Sequence, residues 1–143
     1  MSNKTLQKQL ITTGSIVCGL SVALGAFASH ALRDRISAEH LAVFQTGVTY
    51  QFYHGIGILL MMGMYRRLHS NVVKRVLYLF CIGIVLFSGS LYLLSTREIT
   101  VGDMLKIIGP LTPLGGVLFI LGWVYLGIFG FKESNPHVSK AQD

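Results

Sequence analysis

Four long stretches without Asp, Glu, Lys or Arg constrain this chain more than any other feature. They cover residues 9–32, 40–65, 76–96 and 107–131. Each stretch is long enough to cross a bilayer as a helix, because a hydrocarbon core about 30 Å thick needs roughly 20 helical residues. Open strands would leave backbone groups unsatisfied in lipid, and the sequence lacks the period-two alternation of a β-barrel. It therefore predicts an all-α, polytopic membrane protein folded as a four-helix transmembrane bundle.

Composition supports one membrane domain and excludes several functional classes. Only 13% of the residues are charged and 52% are hydrophobic, whereas a soluble domain carries about 25% charged residues. The basic residues behind the net charge of +6 flank the apolar runs, so they indicate membrane anchoring and no nucleic-acid binding. A single domain, residues 1–143, is predicted, with spans at about 10–31, 46–65, 75–95 and 109–131.

The first apolar run resembles a signal peptide but is predicted to be a retained span. Ala26, Phe27 and Ala28 fit a cleavage pattern. However, small residues recur at helical spacing along one face that ends at His30, and such a face lets transmembrane helices approach closely. A discarded leader has no use for it. The helix-packing residues predicted for the whole chain are Ser15, Gly19, Ala23, Ala26, Gly47, Gly115 and Gly116.

The second span is the most polar and is predicted to begin with a capped helix. Ser37 is a suitable N-cap for a helix that starts at Ala38, with Glu39 in the first turn where the helix dipole favours a negative charge. The first part of this helix is expected to form a short interfacial helix before the second span. One face then carries Gly47, Tyr50, Gln51, His54, Ile58, Met61 and Tyr65. An unpaired imidazole in hydrocarbon costs several kcal/mol, so this face is expected to meet protein.

The third and fourth spans supply candidate partners for that face. On the third span, Ser88 and Tyr92 share a side that can meet the second span. Thr112 lies at the start of the fourth span, beside two prolines that are tolerated near a helix start. Trp123 lies too deep for an interfacial anchor and is predicted to pack against a neighbouring helix.

The distribution of basic residues predicts the orientation. Eight Lys or Arg lie in the N-terminus, the 66–75 link and the C-terminal tail, against four in the other two links. The positive-inside rule then predicts a multi-pass protein of the bacterial inner (plasma) membrane with both termini cytoplasmic. In this orientation the polar side chains of all four spans fall in the outer half of the membrane. The candidate polar cluster is His30, Tyr50, Gln51, His54, Ser88, Tyr92 and Thr112.

Four motifs carry a family resemblance that covers nearly the whole chain. They are GAFASHAL at 25–32, TGVTYQFYH at 46–54, FSGSLY at 87–92 and GPLTPLGG at 109–116. Together they resemble the YgdD/YwdK family of small uncharacterised bacterial inner-membrane proteins, which is similar to the eukaryotic transmembrane protein 256. This chain has Ala28 and Ser29 where the family usually has Gly and Ala, but it keeps His30. The resemblance implies a four-helix membrane protein and no established reaction, ligand or catalytic residue.

Two interpretations of the polar cluster follow from the sequence. In the first, the cluster is an interhelical hydrogen-bond network that fixes helix register, with about 0.6–2 kcal/mol per bond. In the second, it lines a small outward-facing pocket for a proton, a lipid headgroup or a small solute. His54 and His30 would serve that pocket, with His54 titrating and Gln51 or Tyr50 orienting it.

Other functional classes receive less support. His30 and His54 are too few for a closed metal site, so no metal and no cofactor is predicted. Conventional enzyme chemistry is not indicated, because the spans hold no paired carboxylates, no nucleophile with a base, and no glycine-rich phosphate loop. Besides the lipid bilayer, the expected partners are a larger membrane complex or further copies of the chain, bound through small-residue faces.

Overall fold

The computed structural model describes residues 3–97, 99–100 and 108–130. The long helices are α1 (Asn3–Phe27), α2 (Ala38–Gly63), α3 (Ser70–Ser95) and α4 (Leu111–Phe129). A π-helical segment (Ala28–Leu32) extends α1, and a 3-10 turn (Tyr65–Arg67) joins α2 to α3. The predicted all-α fold of four helices is confirmed.

Three of the described helical stretches are long and apolar enough to cross a membrane. They are Lys4–Leu32, Ser70–Ser95 and Leu111–Phe129. Helix α2 has 26 residues, or about 39 Å at 1.5 Å per residue, but side chains such as Gln51 and His54 dilute its apolar character. That α2 also crosses the membrane stays a prediction, as do the span boundaries. Residue 131, the end of the predicted fourth span, lies outside the described residues.

Helix α2 begins where its capping residue predicts. Ser37 has an extended backbone, and its hydroxyl accepts a hydrogen bond from the backbone N–H of His40 at 3.2 Å. This cap satisfies one of the free amides of the first turn. The helix then continues without a break to Gly63. The segment expected to lie along the interface is therefore the first part of α2 rather than a separate element.

The helices pack in the order of the chain. Helix α1 packs mainly on α2, α2 on α3, and α3 on α4, while α2 and α4 make only sparse backbone contact. The larger apolar core lies at the end of the bundle near the 3-10 turn and includes Leu10, Ile58, Met61, Val73 and Phe80. Gln51 lies at the middle of α2, and His54 lies one turn nearer Gly63, where its ring contacts the core residues Phe80 and Phe119.

Glycines allow close helix contact at two of the predicted positions. A Cβ atom on Gly115 would collide with the backbone nitrogen of Phe87, so α4 can approach α3 this closely only without a side chain there. A Cβ atom on Gly47 would lie 2.8 Å from the Tyr92 ring and 3.3 Å from the carbonyl oxygen of Ser88. Gly116 is less tightly packed, with the Phe87 ring 3.7 Å from its hypothetical Cβ atom.

The small-residue face predicted on α1 does not pack within the chain. Its members Ser15, Gly19, Ala23 and Ala26 are all exposed. Helix α1 instead packs through a neighbouring face, on which Gly14 accommodates Leu59 of α2. These four residues therefore make no close helix contact within the chain, and their role in helix packing stays a prediction. The face that the chain uses also combines small residues with leucines that fill space, such as Leu6 and Leu10.

Candidate functional site

Gln51 joins three helices from a buried position on α2. Its side chain is 5% exposed. The amide nitrogen Nε2 donates to the backbone carbonyl of Val17 on α1 at 3.1 Å, and Oε1 accepts from the Tyr92 hydroxyl on α3 at 3.0 Å. Both the donor and the acceptor of the amide are thus used inside the bundle. The Tyr92 ring also packs on Phe44, with ring centroids 4.6 Å apart.

His54 lies one turn further along α2 and has a partner for each ring nitrogen. Its side chain is 4% exposed. Nδ1 lies 2.7 Å from the carbonyl oxygen of Tyr50, and Nε2 lies 3.2 Å from the indole nitrogen of Trp123 on α4. A carbonyl only accepts and an indole N–H only donates, so these partners assign the proton to Nδ1 of a neutral ring. With Nε2 accepting from Trp123, the ring cannot take up a proton unless that contact breaks.

Aromatic rings enclose the imidazole. The Phe119 ring stacks on it with centroids 3.5 Å apart and planes inclined by 13°. Phe80 meets it edge-on at 5.0 Å, and the Trp123 ring centroid lies 6.0 Å away. Such packing fixes the orientation of the ring in addition to its hydrogen bonds.

Hydroxyl groups join α3 to α4 near the start of α4. Ser90 and Thr112 have hydroxyl oxygens 2.7 Å apart. Because the Ser90 hydroxyl also lies 2.8 Å from the carbonyl of Phe87 and donates to it, the Thr112 hydroxyl is the donor in this pair. At the opposite end of the same helix pair, Arg75 donates to the Tyr125 hydroxyl at 2.6 Å.

The seven predicted cluster residues do not form a single site. Gln51 and Tyr92 meet directly, while His54 and Thr112 each bond to a residue outside the predicted set. His30 is exposed in the π-helical segment, and within the described residues it takes no part in these hydrogen bonds. Tyr50 is 41% exposed and supplies its backbone carbonyl to His54. Ser88 is fully buried, and its hydroxyl oxygen has no hydrogen-bond partner within the described part of the chain.

Two grooves lie along the surface between α2 and α4, which we call the α2–α4 seam. The aromatic groove, of about 500 Å³, is lined chiefly by Tyr50, Tyr53, His54, Phe119, Ile120 and Trp123. The apolar groove, of about 270 Å³, is lined chiefly by Gly57, Met61, Met64, Leu68, Trp123 and Gly127. Trp123 belongs to both, so its indole, held by His54, separates one groove from the other.

The described residues contain no cluster of side chains that would support metal binding. Across residues 3–97, 99–100 and 108–130, no group of three or more His, Cys, Asp and Glu could hold a metal ion. Cys18 and Cys81 are both free and half-buried. His54 has no nitrogen available for a metal while both of its hydrogen bonds are made.

Sequence reasoning missed several residues of this arrangement. The depth of Trp123 predicted helix contact, but not its bond to His54. Ser90 lies in the FSGSLY motif, and its position two residues from Ser88 places it on a different side of α3, facing α4. The backbone carbonyl of Val17 could not have been identified from side-chain patterns. The sequence did not single out Phe119, because one apolar residue on an apolar helix cannot be distinguished from the others by its pattern.

Comparisons with known proteins agree on one family. A family profile described as a protein of unknown function (DUF423) matches residues 24–116. A UPF0382 membrane protein of Staphylococcus saprophyticus is 44% identical over 125 residues, which cover 87% of this chain and 98% of the relative. The UPF0382 membrane protein YwdK of Bacillus subtilis is 40% identical over 126 residues, covering 87% and 98%. No solved structure matches. These matches confirm the resemblance drawn from the four motifs.

Proposed function

Because the chain belongs to the DUF423 family, whose matching relatives are named UPF0382 membrane proteins, we propose that it is a structural or accessory component of the bacterial inner (plasma) membrane rather than an enzyme. The observation that carries this proposal is the pairing of two buried polar side chains, those of Gln51 and His54. Gln51 bonds to α1 and α3, while His54 accepts from Trp123 on α4 and donates to the Tyr50 carbonyl on its own helix. Polar groups held in this way stabilise the register of the helices.

The proposal includes a topology. All four helices cross the membrane, and both termini are cytoplasmic. The excess of Lys and Arg in the 66–75 link and the terminal segments supports this orientation. The partners given to Gln51 and His54 support a membrane-spanning α2, since pairing removes most of the cost of placing such side chains in hydrocarbon. Cysteine labelling from outside intact cells tests it, because a cysteine in the 66–75 link is expected to stay unlabelled.

An accessory role requires a surface that is free to associate. In the apolar windows of α1 and α4 only 17% of the residues are buried within the chain, against 33% for α3. On α1 the exposed surface includes the small residues Ser15, Gly19, Ala23 and Ala26. Small residues at helical spacing let another transmembrane helix approach closely. We therefore expect the chain to bind copies of itself or a larger membrane complex through α1, in addition to the lipid bilayer.

Association through α1 can be tested with two matched glycine variants. Gly19 and Gly89 both have open space where a side chain would begin. Gly19→Leu is expected to reduce the particle size that light scattering measures for the chain purified in mild detergent, because it adds bulk to the small-residue face. Gly89→Leu, on α3, should leave the size unchanged. A monomeric wild-type chain that also forms no crosslinks through α1 in native membranes would contradict the proposal.

A second candidate function is a small binding pocket for a proton, a lipid headgroup or a small solute. The aromatic groove favours it, since its volume of about 500 Å³ lies in the range of small-ligand sites and His54 forms part of its wall. The exposed position of His30 and the occupied nitrogens of His54 speak against a titrating pair. Binding of a ligand that is lost in Trp123→Ala and kept in His30→Ala would favour the aromatic groove as the site.

A further inference from the structure

The apolar groove ends beside two arginines. Its lining includes Met61 on α2, Met64 directly after α2, and Leu68 directly after the 3-10 turn. Arg66 and Arg67 lie in the 3-10 turn between Met64 and Leu68, and both are exposed. The turn is fixed beside α4, because the backbone N–H of His69 donates to the carbonyl of Gly130 at 2.8 Å. An almost entirely apolar surface and a pair of positive charges thus adjoin each other.

The charge of this pair is not neutralised by the described part of the chain. The carboxylates within the described residues are Asp34 and Glu39, which precede or begin α2, whereas Arg66 and Arg67 follow it. The two acids therefore lie about 40 Å from the arginines at the other end of α2. Arginine binds phosphate through a planar fork of donors, so a phosphate group is the chemistry that suits this pair.

We propose that the apolar groove and Arg66–Arg67 form a binding site for one anionic phospholipid. An acyl chain lies in the groove against Met61, Gly127 and Trp123, and the phosphate meets the arginines. A free phosphate ion would satisfy the charges but leave the groove unexplained, and a neutral lipid would satisfy only the groove. The occupant must carry both parts, which selects an anionic lipid. This inference is independent of the structural role proposed above.

The single tryptophan provides a local readout. The chain contains one Trp, and Trp123 lines the apolar groove. Bromine atoms on an acyl chain quench tryptophan fluorescence at short range, so a chain that enters the groove is detected there. The full chain would be reconstituted in phosphatidylcholine vesicles that contain increasing amounts of brominated phosphatidylglycerol. The comparison series uses brominated phosphatidylcholine at the same mole fractions.

The expected result is a preference for the anionic lipid. Quenching by brominated phosphatidylglycerol should reach half of its final value at a mole fraction at least fivefold lower than for brominated phosphatidylcholine, since one arginine near the membrane surface contributes about fivefold. Equal quenching by the two lipids would overturn the proposal. Inorganic phosphate in excess should not reverse the quenching; reversal would assign the arginines to a free anion instead.

Two pairs of variants separate this site from general attraction to the membrane. Arg66→Gln with Arg67→Gln should abolish the preference, while Arg33→Gln with Arg35→Gln, the same charge change at the other end of α2, should leave it intact. An equal loss in both pairs would overturn the proposal. Gly127→Leu places a side chain in open space within the groove and should lower quenching by at least half, whereas Gly89→Leu should not. Unchanged quenching in Gly127→Leu would also overturn it.

Discussion

The two sides of α2 differ in how they meet their neighbours. Toward α3 the contact is closed: Gly47 brings the helix backbone against Tyr92 and Ser88, and Gln51 bonds to Tyr92. Toward α4 the contact is open, with two grooves along the α2–α4 seam and one hydrogen bond, from Trp123 to His54, across it. Helix α2 is therefore tightly packed against α3 on one side and borders the two grooves on the other.

The difference separates polar residues of α2 that pack tightly against a neighbouring helix from those that border open space. On the α3 side the space for side chains is filled, so a change of volume should be more damaging than the loss of a hydrogen bond. On the α4 side two grooves remain open, and Trp123 is held by its hydrogen bond to His54 together with its packing on Phe80 and Gly57. Four substitutions test this contrast.

The largest effect is expected from Gly47→Leu. The new side chain would begin 2.8 Å from the Tyr92 ring and 3.3 Å from a backbone carbonyl oxygen, where little can move. We expect the free energy of unfolding to fall by about 3 kcal/mol. Gly63→Leu, on the same helix but with open space at its Cβ position, should change it by less than about 0.5 kcal/mol. Thermal and denaturant unfolding in mild detergent measure both, and a stable Gly47→Leu protein would show that the α3 side is not closed.

The next largest effect is expected from His54→Phe. The substitution keeps a ring to stack on Phe119 but removes the acceptor for the Trp123 indole and the bond to Tyr50. A loss of about 2 kcal/mol in unfolding free energy is expected, since a donor is left unpaired. Combined with Trp123→Phe in a double-mutant cycle, the coupling should be about 0.6–1.7 kcal/mol. Additive single effects would mean that the bond across the seam has no energetic role.

A smaller effect is expected from Tyr92→Phe. It deletes one hydroxyl, whose hydrogen bond to Gln51 is 3.0 Å long, and keeps the ring that packs on Gly47 and Phe44. Unfolding free energy should fall by about 0.6 kcal/mol, the mean for hydrogen bonds between membrane helices. Tyr78→Phe is the matched control, because Tyr78 is exposed. A fall above about 2 kcal/mol would show that the hydroxyl contributes more than this one bond.

The smallest effect is expected from Ser88→Ala. The Ser88 hydroxyl is buried without a partner within the described residues, so its removal should leave the unfolding free energy unchanged or raise it slightly. Ser90→Ala, two residues along the same helix, deletes the bond with Thr112 and should cost about 0.6 kcal/mol. If Ser88→Ala were the more damaging of the two, Ser88 would have a partner such as a bound water.

Much of the fold follows from patterns that the sequence displays directly. Apolar run lengths predict the four helices, and Ser37 predicts the start of α2 because a cap acts within a few residues of its own position. Most of the buried face of α2 also agrees with the prediction: Gln51, His54 and Ile58 are buried and Phe52 and Ile56 are each 38% exposed, but Tyr50, which was expected on the buried face, is 41% exposed. Because α2 has a single polar stripe, its rotation is determined by the need to place that stripe against protein.

The contacts that the sequence did not predict depend on how α1 and α4, which carry no polar stripe, are rotated about their own axes. Helix α4 is apolar on all sides, so nothing in its sequence turns Trp123 toward a histidine 69 residues away. Helix α1 has two adjacent faces with small residues, one through Gly14 and one through Ser15, and the pattern alone favours neither. The face that packs is selected by the shapes of Leu59 and Gly55 on α2, which only the assembled bundle brings into contact.

Sequential packing of the helices has a consequence for synthesis. Each helix rests chiefly on the one made just before it, so the contacts of the bundle form over short separations along the chain and little loop-closure entropy opposes them. The two helices of the α1–α2 hairpin can contact each other, for example through the hydrogen bond from Gln51 to Val17, before α4 leaves the ribosome. The nascent chain can therefore mature one hairpin at a time, and Trp123 would meet His54 only at the final step.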